Sequence, residues 1–416
     1  LVTVPVGGER NCSNNLPLLS HQRRSYRVRG LVDAPVSPQR ALWEAADYVD
    51  CFEAHLPQPG SITNLIIRQQ TPFSSKLEPF ETIYNVRAAG LNFRDVLNVL
   101  GLDPSGTVRP IGGESSGVVA KVGACVHHKS PGDSVYGLVP GTMCNVALCD
   151  SRYTSRMPAT SPFEHIVALP VVWITTGYCV QAACIQSKQW MLIHATAGGV
   201  GMAFTDMASH AGVNVYGTAG GVAKHVVLRS CDVAHIASSR NAGAFATGMS
   251  RLLCGPRLHT LVNALSNDFI SASAALQACG GSFLELGKNN IWSLERSIAT
   301  RASSLVYNAV ALDDGSRGCP GWNRDPWFFN HKLQWVTARV EAGTVSTLPV
   351  SIFTFEATAL HAALKLLQRG SNIGKVVVDL SDCAVMMPAD ELLAQWSGKD
   401  VMCERANRDT LLALKI

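Results

Sequence analysis

The sequence predicts an α/β chain: a parallel sheet covered on both faces, joined to a compact β-rich domain. Three observations lead there. Strand-like runs at 190–195, 213–218, His235–Ala237, Thr260–Asn263 and Ser282–Leu286 alternate with helical segments, as a parallel sheet with crossover helices requires. Earlier, short strand-like runs at Ile62–Ile67, Thr82–Arg87 and Gly117–Val122 are separated by Pro and Gly, which suits a compact β-rich domain. The first crossover opens on a glycine-rich turn, Ala195–Gly201.

Composition sets the outer bounds. With 416 residues, 47% hydrophobic and 16% charged, the chain is globular and long enough for two or three domains. Its net charge of +4 is spread along the sequence without a basic run, which gives no case for nucleic acid. Acidic carrier partners remain compatible with it. Thirteen cysteines without a C-x-x-C pair suit free thiols in a reducing compartment, hence a cytoplasmic setting.

In chain order, residues 1–51 are rich in Arg, Pro and Ser and read as a linker or the edge of a preceding module, with Ser25–Arg29 as a short strand. The start is not signal-like, and the absence of an initial Met suggests a segment cut from a longer polypeptide. Within the β-rich part, the stretch from Arg87 to Asp95 leads into a helix and that from Ile111 to Gly117 into a strand. Ile166–Ser187 is uncharged and about long enough to cross a membrane. Pro170, Thr175, Thr176, Gly177, Gln181 and Gln186 interrupt it, so a buried helix at about Leu169–Ala183 is expected and no membrane contact.

The glycine turn carries the chemistry. Trp190–His194 is an apolar strand, Gly198, Gly199 and Gly201 fill three of four positions, and Val200, Phe204, Met207 and Ala208 follow at helical spacing. A turn without side chains lets a diphosphate approach the backbone, and the helix N-terminus supplies N–H donors and a favourable dipole. An NAD site would carry an acid at the end of the second strand, but Gly217-Thr218-Ala219-Gly220-Gly221 has none. Lys224 and Arg240 follow as partners for a 2′-phosphate, which points to NADPH. From about Val345 the chain returns to strand, helix (Ala357–Gln368) and strand (Val376–Asp379).

Eight blocks, in one order, resemble the enoyl reductase domains of polyketide synthases and animal-type fatty acid synthases, in the zinc-independent medium-chain dehydrogenase/reductase superfamily. They are VRAAGLNFRDVL (86–97), GGESSGVVAKVG (112–123), PGDSVYGL (131–138), LIHATAGGVGMA (192–203), HIASSR (235–240), LVNALS (261–266), FLELGK (283–288) and NIGKVVVDL (372–380). The resemblance implies a Rossmann domain (169–330) inserted into a GroES-like substrate domain (52–168 and 331–380), with 381–416 leading to the next module. It also implies that NADPH reduces a trans-2-enoyl thioester on an acyl carrier protein beside neighbouring synthase domains, with a homodimer arising through the parent synthase.

The same resemblance supplies candidate roles. Lys288 and Asp313 are the expected catalytic pair, with Asp314 adjacent and Ala311 the position that another alignment would give an aspartate. Thr175, Gly198, Gly199, Val200, Gly201, Thr218, Lys224, Arg240, Asn263 and Lys375 are expected to meet the cofactor, and Asn92, Asp103 and Tyr178 the substrate. Asp103 falls in Gly101-Leu102-Asp103-Pro104, where many relatives have a tyrosine before the proline. No metal is expected, since Gly113 precedes Glu114 where zinc enzymes have a histidine. His194 reads as a core or supporting histidine. Two other readings are a stand-alone quinone or alkenal reductase and a structural domain that has lost activity.

Overall fold

The computed structural model describes residues 51–381, apart from 71–72, 74–75, 256, 302–304 and 313–324. Ser25–Arg29, Asp313, Asp314 and the segments 1–50 and 382–416 therefore lie outside the described residues.

The N-terminal part contains β1 (Phe52–His55), β2 (Ile66–Gln69), β3 (Glu81–Leu91), α1 (Phe93–Val99), β4 (Glu114–Val122), β5 (Ser134–Gly137), β6 (Val146–Asp150) and β7 (Thr154–Arg156). β3 is its axis, pairing antiparallel with β4 along one edge and with β6 near its start. The β3–β4 register shifts twice, and such irregularities bend and twist a sheet. The strand expected over Ile62–Ile67 starts only at Ile66. A 3-10 turn occupies Ile62–Asn64, where the Ser61 hydroxyl caps Thr63 N–H at 3.3 Å and the Asn64 amide bonds Gln58 O at 3.0 Å. Such local side-chain bonds compete with strand pairing.

The middle of the chain contains α2 (Phe163–Ile166), α3 (Pro170–Ala183), β8 (Trp190–Ile193), α4 (Gly199–Ala211), β9 (Asn214–Ala219), α5 (Val222–Ser230), β10 (His235–Ser238), α6 (Ala242–Leu253), β11 (Leu258–Asn263), α7 (Asp268–Ala274), β12 (Gln277–Glu285), α8 (Leu294–Arg301) and β13 (Val306–Ala309). These six strands are parallel, in the order β10-β9-β8-β11-β12-β13. The order reverses between β8 and β11, which opens a crevice at the carboxyl ends of those strands. β8 shows why both faces must be covered. Met191 and Ile193 enter one core with α3 and α4, whereas Leu192 enters another with Phe245 and Met249 of α6.

The return comprises α9 (Pro326–Glu341), β14 (Val350–Thr354), α10 (Ala357–Gln368) and β15 (Lys375–Asp379). β15 runs parallel to β14 and antiparallel to β3, completing a 7-stranded sheet of order β14-β15-β3-β4-β5-β7, with β6 also on β3. Leu360, Ala363, Leu364 and Leu367 form one face of α10 and pack on Val86, Leu91, Val376 and Val378. The boundary expected at 330/331 falls inside α9, whose Phe329, Leu333 and Val336 are buried in the core with α3. Asn330 Nδ2 and Leu333 O tie this helix to Thr154 O at 2.7 Å and the Tyr136 hydroxyl at 2.8 Å.

Phe163–Ala183 has the length and apolar character of a membrane span, yet 67% of its most apolar window is buried inside the protein. Val172, Trp173, Ile174, Cys179 and Val180 supply much of that core. Among the described residues, eight cysteines are free thiols, while Cys184 is disulfide-bonded, an exception to the expected set of free thiols.

Candidate functional site

A cavity of about 640 Å³ follows the crevice between the two sheets. Its floor is the turn after β8. A Cβ on Gly201 would sit 2.5 Å from Thr196 O and one on Gly199 3.0 Å from Val172 Cγ1, so α4 can begin this close to β8 and α3 only without side chains there. Thr196 Oγ1 donates to Ile193 O at 2.6 Å and accepts Thr218 N–H at 2.9 Å, which locks the turn to β9. Thr218 Oγ1 accepts Ala195 N–H at 3.1 Å and pairs with His194 Nδ1 at 3.1 Å. His194 Nε2 meets Ser273 Oγ at 2.8 Å, and burial pushes its pKa down to about 3, so the ring is neutral and serves as a brace.

Beyond the turn lies a cationic end. Lys224 Nζ donates to Gly370 O at 2.8 Å, and Arg240 Nη2 to Arg369 O at 3.1 Å and Gly370 O at 3.4 Å. Burial, and then the Arg240 charge, lower the Lys224 pKa. Gly220 lets the Arg240 side chain lie close against the turn, since a Cβ there would approach Arg240 Nε to 2.7 Å and the arginine would have to shift. The end of β9 carries no acid, so the charge of this pocket suits a phosphate better than a pair of ribose hydroxyls.

At the centre, Gly374 forms a parallel bridge with Gly198 and donates to Ala197 O at 2.8 Å. Lys375, the next residue, is 4% exposed and ion-paired with Glu114, which is fully buried. The lysine also donates to Asn92 Oδ1 at 2.6 Å, while Asn92 Nδ2 donates to Glu114 Oε1 at 2.9 Å and Val171 N–H to Glu114 Oε2 at 2.8 Å. Asp95 caps α1 behind them by accepting Asn92 N–H at 2.7 Å and Gly112 N–H at 3.0 Å; burial raises its pKa against these bonds. The Glu114 carboxylate is thus occupied by protein donors. Among the described residues, no group of three or more His, Cys, Asp or Glu could hold a metal ion.

The outer end is apolar, with Phe93, Leu97, Leu138, Pro140, Val310 and Leu312 on its walls. Asp103 lines it too, but its carboxylate is clasped by Arg94 at 2.8 and 3.3 Å and by Ser105 N–H at 2.9 Å. Burial works to raise its pKa, yet these donors hold it well below the ordinary carboxylate range. Lys288 lines the cavity from the turn after β12, where Asn289 Nδ2 donates to Leu102 O at 2.9 Å and links that turn to the loop bearing Asp103.

Of the residues singled out from the sequence, the cavity gathers Asn92, Asp103, Thr175, Gly198, Gly199, Val200, Gly201, Thr218, Lys224, Arg240, Lys288 and Lys375 along its walls. Two depart from expectation. Asn263 is fully buried and turns its amide to Glu285 Oε2 at 2.8 Å and Leu265 O at 2.7 Å, away from the lining. Tyr178 is not a lining residue; it packs against the core around α3. Asp313, expected beside Lys288, is outside the described residues. Glu285 and Asn289 are not among the residues expected at the site. An acid inside the apolar run Phe283-Leu284-Glu285-Leu286 was the available signal for the first.

No family model matches the chain. It is 34% identical over 350 residues to the pikromycin polyketide synthase component PikAII of Streptomyces venezuelae, covering 83% of this chain and 9% of that protein. It is 34% identical over 326 residues to erythronolide synthase EryA2 of Saccharopolyspora erythraea, covering 78% and 9%. With the highly reducing polyketide synthase ZEA2 of Gibberella zeae the identity is 32% over 335 residues, covering 79% and 14%. The chain thus spans 9 to 14% of the length of these curated relatives. Among solved structures, CurK enoyl reductase superposes with a TM-score of 0.71 at 28% identity, and the apo form of JamJ enoyl reductase with 0.72 at 25%; each match covers 79% of this chain and 99% of the other. Escherichia coli quinone oxidoreductase complexed with NADPH shares the fold, with a TM-score of 0.69 at 18% identity over 79% of this chain and 99% of that one.

Proposed function

We propose that the chain is an enoyl reductase domain of a polyketide synthase, on the medium-chain dehydrogenase/reductase fold, and that it reduces a trans-2-enoyl thioester with NADPH. The observation that carries the reading is one continuous cavity, which joins a glycine turn and a two-cation end to an apolar cleft with Lys288 on its wall. Gly198, Gly199 and Gly201 line the cavity at the N-terminus of α4, where a diphosphate would meet backbone N–H groups, and Lys224 with Arg240 suit the 2′-phosphate. When bound, NADPH supplies the hydride that goes to the β-carbon of the enoyl group.

The chain's own residues then act on the charge that this transfer creates. Negative charge accumulates on the thioester oxygen and the α-carbon. An ammonium at Lys288 stabilises the oxygen and delivers the proton to carbon, with Asp313 as its proposed partner. Asn92 has one amide N–H beyond that given to Glu114, and this is the donor we assign to the substrate. Thr175, on the cavity wall beside Val172, is assigned to the nicotinamide end. The apolar walls at Phe93, Leu138 and Val310 suit an acyl chain and exclude water.

The coverage of the relatives supports a place for this chain beside other synthase domains, with the thioester presented by an acyl carrier protein in the cytoplasm. In this reading residues 169–330 bind the cofactor, and 52–168 with 331–380 bind the substrate. The experiment that tests it is NADPH oxidation with crotonyl thioesters, carrier-bound and free, against a simple quinone. Faster turnover of the thioesters is expected. Preference for the quinone would make this a quinone reductase, and no turnover with either would make it a structural domain.

A further inference from the structure

Glu285 ends β12 within an apolar run and is fully buried. A buried carboxylate costs several kcal/mol unless donors occupy its oxygens. Oε1 accepts Gly287 N–H at 2.7 Å, and Oε2 accepts Asn263 Nδ2 at 2.8 Å and the Tyr307 hydroxyl at 3.3 Å. These donors belong to, or directly follow, three adjacent strands of the parallel sheet, β11, β12 and β13. Each strand runs on into a wall of the cavity: Ala264–Ser266 after β11, Leu286–Asn289 after β12 and Val310–Leu312 after β13. Glu285 itself is not a lining residue.

Its carboxylate therefore reaches the site only through the turns it holds. The contact with the Lys288 turn is direct, since a Cβ on Gly287 would lie 2.6 Å from Glu285 Oε1. Gly287 N–H, the Asn263 amide and the Tyr307 hydroxyl all donate to an acceptor-only carboxylate, whereas an amide at 285 would turn N–H groups of its own toward some of them.

We infer that Glu285 is a positioning residue for the reduction: it sets the Gly287–Lys288 turn relative to the walls that follow β11 and β13. The inference rests on the reading of Lys288 as the proton donor. A displacement of about 1 Å at a reacting group can cost on the order of 10²-fold in rate, so a small rotation of this turn is enough to matter. Cofactor affinity is set elsewhere, at the glycine turn and at Lys224 and Arg240.

The test is steady-state kinetics of the whole chain with NADPH and a crotonyl thioester. Glu285→Gln is expected to lower kcat by about 10-fold or more while the KM for NADPH stays within about twofold. In a Lys288→Ala background the same change should lower kcat by less than about twofold, because the group it positions is gone. If Glu285→Gln does not fold, Tyr307→Phe removes one donor from the same carboxylate and should lower kcat by about twofold or more at unchanged KM. Normal kcat in the single variant tested, or an equal loss with and without Lys288, overturns the positioning role. Normal kcat in Lys288→Ala instead overturns the reading of Lys288.

Discussion

Lys375 pairs with Glu114 at the wall of the cavity, the carboxylate fully buried and the lysine 4% exposed, and the pair joins the start of β15 to the start of β4 at the edge of the glycine turn. Two charges held this deeply are stable only together, because each offsets the desolvation of the other.

Removing one partner should therefore do more harm than removing both. Glu114→Ala is expected to lower the free energy of unfolding by about 3–5 kcal/mol, and the double variant Glu114→Ala/Lys375→Met by clearly less than the sum of the single effects. Urea denaturation measures each. Strict additivity would mean that the two charges are not coupled in solution.

The cationic end makes a second prediction. Charge-assisted bonds contribute roughly 1.5–3 kcal/mol each, so Lys224→Ala and Arg240→Ala should each weaken NADPH binding by about 10-fold or more. NADH binding should change little. Fluorescence titration of both cofactors is the measurement, and an unchanged NADPH/NADH preference in the double variant rejects the assignment.

Metal dependence is open to a simple assay. The Glu114 carboxylate is already engaged by Lys375, Asn92 and Val171 N–H, and Gly113 offers no imidazole beside it. Exhaustive chelation is expected to leave NADPH-dependent turnover intact. A loss of activity that zinc restores would show that this carboxylate takes a different part.

Lys288→Ala should lower kcat by at least about 10-fold with NADPH affinity nearly unchanged, since positioned general acids contribute on the order of 10²–10⁴-fold and water replaces part of that. Asp313→Asn should act more weakly. A Lys288 variant whose defect is confined to NADPH affinity would move the acid to another group.

His194 gives the stability a pH signature. Its folded pKa, about 3, lies below the unfolded value near 6.5, so its neutral form contributes full stability above about pH 6.5, which is lost as pH falls toward 3. His194→Gln should remove part of that decline, at most about 1.4 kcal/mol per pH unit for one proton. Urea unfolding of both proteins at pH 7, 5.5 and 4.5 gives the comparison, and parallel curves exclude the histidine as a cause.

Much of the parallel sheet was legible in the sequence because its signals are local. Helix Ala357–Gln368 lies where its periodicity put it, the glycine turn lies between β8 and α4, and the missing acid after β9 is a matter of residue type alone. The motif blocks that carry the resemblance are equally local, and they line the cavity for the same reason: a strand end and its turn travel together in sequence.

Partner choice is where local pattern stops. Nothing near Asn263 indicates that its amide would turn to Glu285, nothing in Gly101–Pro104 shows that Asp103 would be clasped by Arg94, and the helical spacing of Tyr178 does not say which wall it faces. Each is decided by donors and acceptors that the fold brings from distant segments, since a buried polar group must be satisfied by whatever stands opposite it. The sequence alone determined much of the parallel sheet, the glycine turn and the charge of the pocket beyond it. Only the tertiary structure decided that β14 and β15 would close the sheet begun by β3, and so set Lys375 against Glu114, because strand pairing and ion pairing at this range depend on neighbours in space and not on neighbours in the chain.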